Sequence, residues 1–239
     1  MLKKCLIITL FVLILLIVLN LGKYEKFTNN EKKYLDFIDG VIYINLENRA
    51  DRKKLIEDEM QKIGVEKPHK IAGVHIPNNG HKGCVQSHIL ALNMAQLNKW
   101  NNYLVLEDDA VLKIPPNKFR MMVKNLYDYL QKNNIEWDVI VIGANYCEKQ
   151  DIQNTEFCRV TCAAASTAFI VNKHYYKKLR ELFEDCNSKM SKDSWQNNNW
   201  EGNALDQRWK ALQKTDNWYG FRDCPFKQRK IWSSINAKK

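Results

Sequence analysis

Three consecutive carboxylates, Glu107, Asp108 and Asp109, follow directly on the apolar run Tyr103-Leu104-Val105-Leu106. Like charges at the end of a buried strand repel one another, so they are tolerated only when solvated or neutralised. If strand geometry continues through them, Glu107 and Asp109 project to one side and Asp108 to the other. Two carboxylates on one side suit a hard divalent cation, which keeps waters and takes its remaining ligands from substrate phosphates. A solvated turn after a strand is the competing reading.

A second candidate runs from Ile44-Asn45-Leu46 through Glu47 and Asn48 to Arg49, Asp51 and Arg52. An apolar strand here delivers its end to a helix N-terminus flanked by two arginines, and both features favour phosphate or carboxylate. Plain helix capping by Asn48 or Asp51, with solvated arginines, accounts for the same residues. A third is Gly83-Cys84-Val85-Gln86-Ser87-His88. Neighbours on a helix point about 100° apart, so Ser87 and His88 cannot pair as nucleophile and base. Beside Val85, Ile89 and Leu92, His88 also reads as a core histidine.

Other templates are missing: G-x-S-x-G, G-x-G-x-x-G after a strand, the P-loop, H-E-x-x-H and the EF-hand loop do not occur. Arg208, Lys210, Lys214, Arg222, Lys227, Arg229 and Lys230 load the C-terminal end, with Trp195, Trp200, Trp209, Trp218 and Trp232 interleaved. That mixture can bind single-stranded nucleic acid, but it serves equally as a sugar platform or diphosphate clamp. Most of these tryptophans are expected in the core.

The chain around these residues alternates apolar strands with amphipathic helices. Strands are expected at Val41–Leu46, Lys70–Val74, Tyr103–Leu106, Asp138–Ile142 (stopping at Gly143) and Ala168–Val171. Helices are expected at Asn48–Ile63, Cys84–Lys99, Lys118–Leu130, Lys173–Phe183 and Ala204–Leu212. Continuous apolar strands between helices indicate an α/β layered fold with a mainly parallel sheet.

The length of 239 residues suits one sizeable domain with short appendages, and 45% hydrophobic with 27% charged residues excludes a largely disordered or fibrous chain. The net charge of +10 fits a partner carrying phosphates or an anionic surface. From Cys5 to Leu19 the chain is apolar apart from Thr9, and the stretch reaches Gly22 with only Asn20 interrupting. About 18 helical residues span ~27 Å, close to the thickness of a bilayer core. Residues 1–22 therefore read as an uncleaved, single-pass signal anchor, followed by a stem (23–40) and a globular domain (41–239). A cleaved signal or a buried core helix are the alternatives. Lys3 and Lys4 precede the span and Lys23, Lys26, Lys32 and Lys33 follow it, so only the short N-terminal tail favours the type II orientation. Beyond Cys5, the six cysteines Cys84, Cys147, Cys158, Cys162, Cys186 and Cys224 include no C-x-x-C pair. They could form three disulfides or remain six thiols.

The ordered set of motifs resembles glycosyltransferase family 25, which includes bacterial lipooligosaccharide galactosyltransferases and procollagen hydroxylysine galactosyltransferases. The resemblance is carried by Ile44-Asn45-Leu46 with Arg49, Asp51 and Arg52, by Gly83 through Ser87-His88, and by Leu106-Glu107-Asp108-Asp109. It continues in Ser166-Thr167-Ala168-Phe169-Ile170-Val171, Asp206-Gln207, and Pro225 with Gln228, Ser233 and Ser234. It implies a GT-A-like, Rossmann-type domain, a UDP-sugar donor (galactose or glucose) and an inverting transfer to a hydroxyl of a glycan or protein acceptor. Asp109 and Glu107 would hold Mn²⁺ or Mg²⁺. Asn45, Leu46, Arg49, Asp51, Arg52, Ser87, His88, Glu107 and Asp108 would form the donor site, and no nucleic-acid partner is expected. Asp206 would be the catalytic base, with Glu201 as second choice. Two departures stand out: no histidine follows His174, and there is no second transferase domain. A catalytically silent protein of the same fold, recognising glycan or nucleotide, is the alternative.

Overall fold

The computed structural model describes residues 35–190 and 200–230. The expected membrane anchor, most of the stem, Trp195, Trp232, Ser233 and Ser234 lie outside the described residues. Among the described residues no helix is long and apolar enough to cross a membrane.

The main sheet contains β1 (Gly40–Asn45), β2 (His69–Ala72), β3 (Asn102–Glu107), β5 (Val139–Asp151), β6 (Phe157–Asn172) and β7 (Trp218–Phe221), in the order β2-β1-β3-β6-β5-β7. β1 runs parallel to β2 and β3, and β5 runs parallel to β7, while β6 is antiparallel to its neighbours. Every strand but β6 thus points the same way, so the sheet is mainly parallel. A small second sheet pairs β4 (Ala110–Leu112) with β8 (Phe226–Gln228).

Side-chain alternation divides the interior into two layers. Tyr103 and Val105 join one cluster with Val85, Leu92, Leu179 and Phe183, from α2 (Gly80–Leu97) and α4 (Tyr176–Lys189). Leu104 and Leu106 join the other with Ile56, Met60, Phe119 and Val123, from α1 (Ala50–Lys62) and α3 (Pro116–Lys132). Apolar spacing of three and four along α3 gives it one buried stripe, and Pro116 stands at its first turn, where no amide donor is required. The result is a three-layer α/β/α domain whose central strand β3 is buried on both faces.

Several boundaries differ from expectation. The strand expected to stop at Gly143 continues to Asp151, and its partner begins at Phe157 rather than Ala168. Gly143 does not end the strand. A Cβ there would lie 2.9 Å from that of Phe226 and 3.1 Å from that of Ala168, so the glycine permits close approach within a bulged pair. The polar outer half of β5 hid its extension from hydropathy, and the earlier part of β6 is made of small residues and cysteines broken by Arg159, so it carries no run of large apolar residues although most of it is buried. Cys147 and Cys162 join them as a disulfide, whereas Cys84, Cys158, Cys186 and Cys224 are thiols, so neither three disulfides nor six thiols describes the domain. Helix α2 begins four residues before Cys84, because Asn79 caps it by accepting from the amide of Lys82. Helix α1 begins at Ala50 with Arg49 at the cap position, so neither Asn48 nor Asp51 caps it through a side chain. The expected helix at Lys173 opens as a 3₁₀ turn, Lys173–Tyr175, before α4. The segment expected as one helix over Ala204–Leu212 is two short ones, α6 (Leu205–Arg208) and α7 (Lys210–Thr215), preceded by α5 (Trp200–Asn203).

Candidate functional site

Parallel register sets the ends of β1 and β3 level with each other, with Ile44 beside Glu107. Asn45 and the acidic triplet therefore emerge together at the carboxyl edge of the sheet, where open α/β sheets bind ligands. Strand β4 then pairs with β8, and the amide of Arg229 donates to the carbonyl of Asp109 at 2.7 Å. A cavity of about 420 Å³ opens at this edge.

The three carboxylates occupy three environments. Oε1 of Glu107 accepts from the hydroxyl of Ser166, lies 3.3 Å from Nε2 of His88, and lies 3.7 Å from the thiol of Cys84. Burial alone would raise the Glu107 carboxyl; His88, Ser166 and Cys84 together outweigh it and hold the group below its ordinary value. Asp108 is buried and fully engaged, accepting from Arg52 Nη1 at 2.7 Å and from Asn45 Nδ2 at 2.8 Å. Asp109 is the poorly compensated one. Its carboxylate lies 3.6 Å from Arg52, and its buried Oδ1 has no hydrogen-bond partner among the described residues. Burial and then the charge of Glu107 push its pKa up to about 7, although Arg52 pulls the other way. All three line the cavity. The expected division, with Asp108 on the opposite side, does not hold: β3 ends at Glu107, and a turn replaces strand alternation.

Asp206, from the first turn of α6, lines the same cavity, and its Oδ2 accepts from the amide of Ala165 at 2.9 Å. Ala165 holds φ at +66°, a left-handed conformation rarely adopted by alanine. Such outliers concentrate at functional sites. Glu201 belongs to α5, and its side chain lies outside the described residues.

The remaining expected residues separate. Leu46, Arg52, Ser87 and His88 line the cavity. Asn45 stands behind the wall, donating to Asp108 and to the carbonyl of Arg49. Arg49 and Asp51 are not on the lining; they bind each other through paired contacts of 2.9 and 2.8 Å, which hold the exposed Asp51 carboxyl down to about 2. Ser87 spends its hydroxyl inside the wall, accepting from Val74 N and donating to Gly83 O, both at 2.8 Å. His88 is a core histidine and a site residue at once: it stacks on Phe169 while reaching Glu107.

Sequence reasoning missed His81 and the site roles of Cys84, Ser166 and Arg229, all on the lining. His81, Cys84 and His88 fall at i, i+3 and i+7 of one helix, a spacing that marks a single face. Burial lowers the His81 pKa despite the opposing charges of Asp206 and Glu107. No comparable spacing announces Ser166 or Arg229, which reach the site through strand pairing.

Among the described residues the cavity lining carries four carboxylates, Glu107, Asp108, Asp109 and Asp206, against two guanidiniums, Arg52 and Arg229. Arg52 is committed to Asp108, and Arg229 donates to Glu59 at 3.0 Å. An anionic ligand is repelled by such a wall unless a cation enters with it. Oxygen ligands of this kind fit a hard divalent cation, and the unpartnered Oδ1 of Asp109 is the atom best placed to take one.

No protein-family model matches the chain, and no curated protein matches it. Solved structures with a similar fold include a glycosyltransferase involved in the glycosylation of the major capsid of PBCV-1. That likeness has a TM-score of 0.48 and 9% identity, covering 82% of this chain and 94% of the other. A UDP-glucose pyrophosphorylase complexed with UDP-glucose gives 0.41 and 10% identity, over 85% of this chain and 79% of the other. A mannose-1-phosphate geranyltransferase from Thermus thermophilus gives 0.43 and 9%, over 82% and 75%. Likeness at this level fixes neither a family nor a substrate.

Proposed function

We propose that this chain is a metal-dependent, inverting glycosyltransferase of the family 25 type. It would move a hexose, galactose or glucose, from a UDP-sugar to a hydroxyl of a glycan or protein acceptor. The observation that carries the reading is the convergence of Glu107, Asp109 and Asp206 on one cavity at the carboxyl edge of the sheet. The order of the motifs that resemble the family supports it.

Glu107 and Asp109 would hold Mn²⁺ or Mg²⁺, which when bound supplies positive charge and Lewis acidity for the departing diphosphate. His88, Ser166 and Cys84 fix the Glu107 carboxylate and keep it ionised. Arg52 clamps Asp108 and keeps the turn that carries Asp109 in place. Asp206, anchored on Ala165, takes the proton of the attacking acceptor hydroxyl. Arg49 and Asp51, which face each other, support the entry to α1 and serve the donor site indirectly.

Residues 1–22 are read as a type II anchor. The disulfide between Cys147 and Cys162 supports a domain on the oxidising side of that membrane.

The test is nucleotide release by the purified full-length chain in detergent, offered UDP-galactose and UDP-glucose with Mn²⁺ or with chelator. Metal-dependent turnover that disappears in Asp109→Asn is expected. Nucleotide binding without turnover across acceptors would instead assign the silent binding role.

A further inference from the structure

We infer that Cys84, His88 and Glu107 form a second cation site in this cavity, built for a borderline-soft divalent metal such as Zn²⁺. One ligand atom from each residue lies within 4.8 Å of the others. A tetrahedral zinc with ordinary bond lengths to sulfur, nitrogen and oxygen separates its sulfur and oxygen ligands by ~3.6 Å and its nitrogen and oxygen ligands by ~3.4 Å. The corresponding distances here are 3.7 Å from Cys84 Sγ and 3.3 Å from His88 Nε2 to Glu107 Oε1. Two edges of a zinc tetrahedron are thus already in place.

Local structure enforces this. Cys84 and His88 are one helical turn apart on α2, and Glu107 ends β3 opposite them. His88 is locked between Phe169 and Phe183, with ring centroids at 5.6 and 6.0 Å. The ligands are therefore preorganised by the core, and all three residues also line the cavity, which leaves the fourth position for water or a substrate oxygen. Thiolate and imidazole select against Mg²⁺ and in favour of zinc. On binding, the Cys84 S–H bond breaks, the sulfur pair forms the metal bond, and the proton leaves to solvent.

Glu107 belongs to this triad and also to the hard-cation pair with Asp109. Zinc on the triad withdraws Glu107 from that pair, so zinc antagonises the hard metal. This antagonism rests on the proposed transferase function; the binding itself does not.

The experiment titrates Co²⁺ and Zn²⁺ into the full-length chain in detergent with the Cys147–Cys162 disulfide left intact, followed by absorption and by calorimetry. One Co²⁺ with a thiolate charge-transfer band is expected, displaced by Zn²⁺. Cys84→Ser should abolish the band and weaken zinc by more than the ~10–100-fold typical of losing an outer-shell partner. Asp109→Asn should leave the band intact. Thermal melting of each variant controls for folding, and His88→Gln provides a second ligand deletion. A band that persists in Cys84→Ser, arising from Cys158, Cys186 or Cys224, overturns the site. So does zinc binding no tighter than Mn²⁺. If the band behaves as expected but no sugar donor is turned over, the zinc site stands and the transferase reading falls.

Discussion

Arg52 donates from Nη1 to Oδ1 of Asp108 at 2.7 Å, joining the first helix to the end of the central strand in a setting where both side chains are about nine-tenths buried. Asn45 satisfies the other oxygen of Asp108. Removing Arg52 leaves the buried Asp108 carboxylate without its cation, so Arg52→Met is expected to cost about 3–5 kcal/mol, whereas Asp108→Asn leaves Arg52 within 3.6 Å of Asp109 and should cost less. The pair Arg52→Met with Asp108→Asn should cost less than the sum of its single changes, because the Arg52–Asp108 charge pair is then removed whole. Urea unfolding of the four proteins checks this; strict additivity would deny the coupling.

Asp109 gives the metal-free protein a pH dependence. Its folded pKa, about 7, stands above the unfolded carboxylate value of about 3.9. Between those values the native state binds more protons than the unfolded one, so stability falls as pH rises through that window. In chelator, the thermal midpoint of the wild type should drop by several degrees from pH 5 to pH 8, relative to Asp109→Asn. A kcal/mol is worth about 2–4 °C in a chain of this size. Added Mn²⁺ should restore the midpoint in the wild type only. Equal pH profiles for both proteins would place Asp109 in a solvated turn.

Gly83 sits where α2 meets the loop after β2, and a Cβ there would clash with the carbonyl of Val74. Ser87 fastens the same loop one turn later. Gly83→Ala should push the loop into the cavity and cost about 1–3 kcal/mol of stability by overpacking. Nucleotide binding should weaken more than in Ser87→Ala, which loses hydrogen bonds without adding volume. Comparison of melting and nucleotide titration for the two variants separates displacement from loosening.

The disulfide Cys147–Cys162 closes a sequence separation of 15 residues across β5 and β6. Chain entropy assigns a loop of that size about 3 kcal/mol, some of which the strand pairing already supplies. Dithiothreitol should lower the thermal midpoint of the wild type, whereas Cys147→Ser with Cys162→Ser should begin low and not respond. An unresponsive wild type would mean that strand pairing alone holds the hairpin.

Hydropathy reveals an element when its signal is local. β1 and β3 are nearly continuous apolar runs, and the acidic triplet stands out because it follows one of them. The outer half of β5 carries Glu148, Lys149 and Gln150 and lacks the apolar signal of a buried strand, and its partner in β6 is buried yet built of small residues interrupted by Arg159, although the two pair over their length. The same distinction governs the site. Glu107 and Asp109 are adjacent to their strand and legible; Ser166 reaches Glu107 from 59 residues away, and only antiparallel pairing of β6 with β3 puts it there. Arg49 shows the converse. Its type and position suit an anion, yet Asp51, two residues on, already takes its guanidinium.

Asp206 is the residue whose role kinetics can isolate. Its Oδ2 is held by the Ala165 amide, and asparagine keeps one oxygen to accept that bond, so Asp206→Asn should preserve the fold and the position of α6. What the amide cannot do is take a proton from an acceptor hydroxyl. Loss of a positioned general base typically costs about 10²–10⁴ in rate. Sugar transfer by Asp206→Asn should fall by that order at saturating donor, while metal-dependent nucleotide affinity stays within about twofold. A rise in KM with kcat unchanged would make Asp206 a binding residue and direct the search for the base to Glu201.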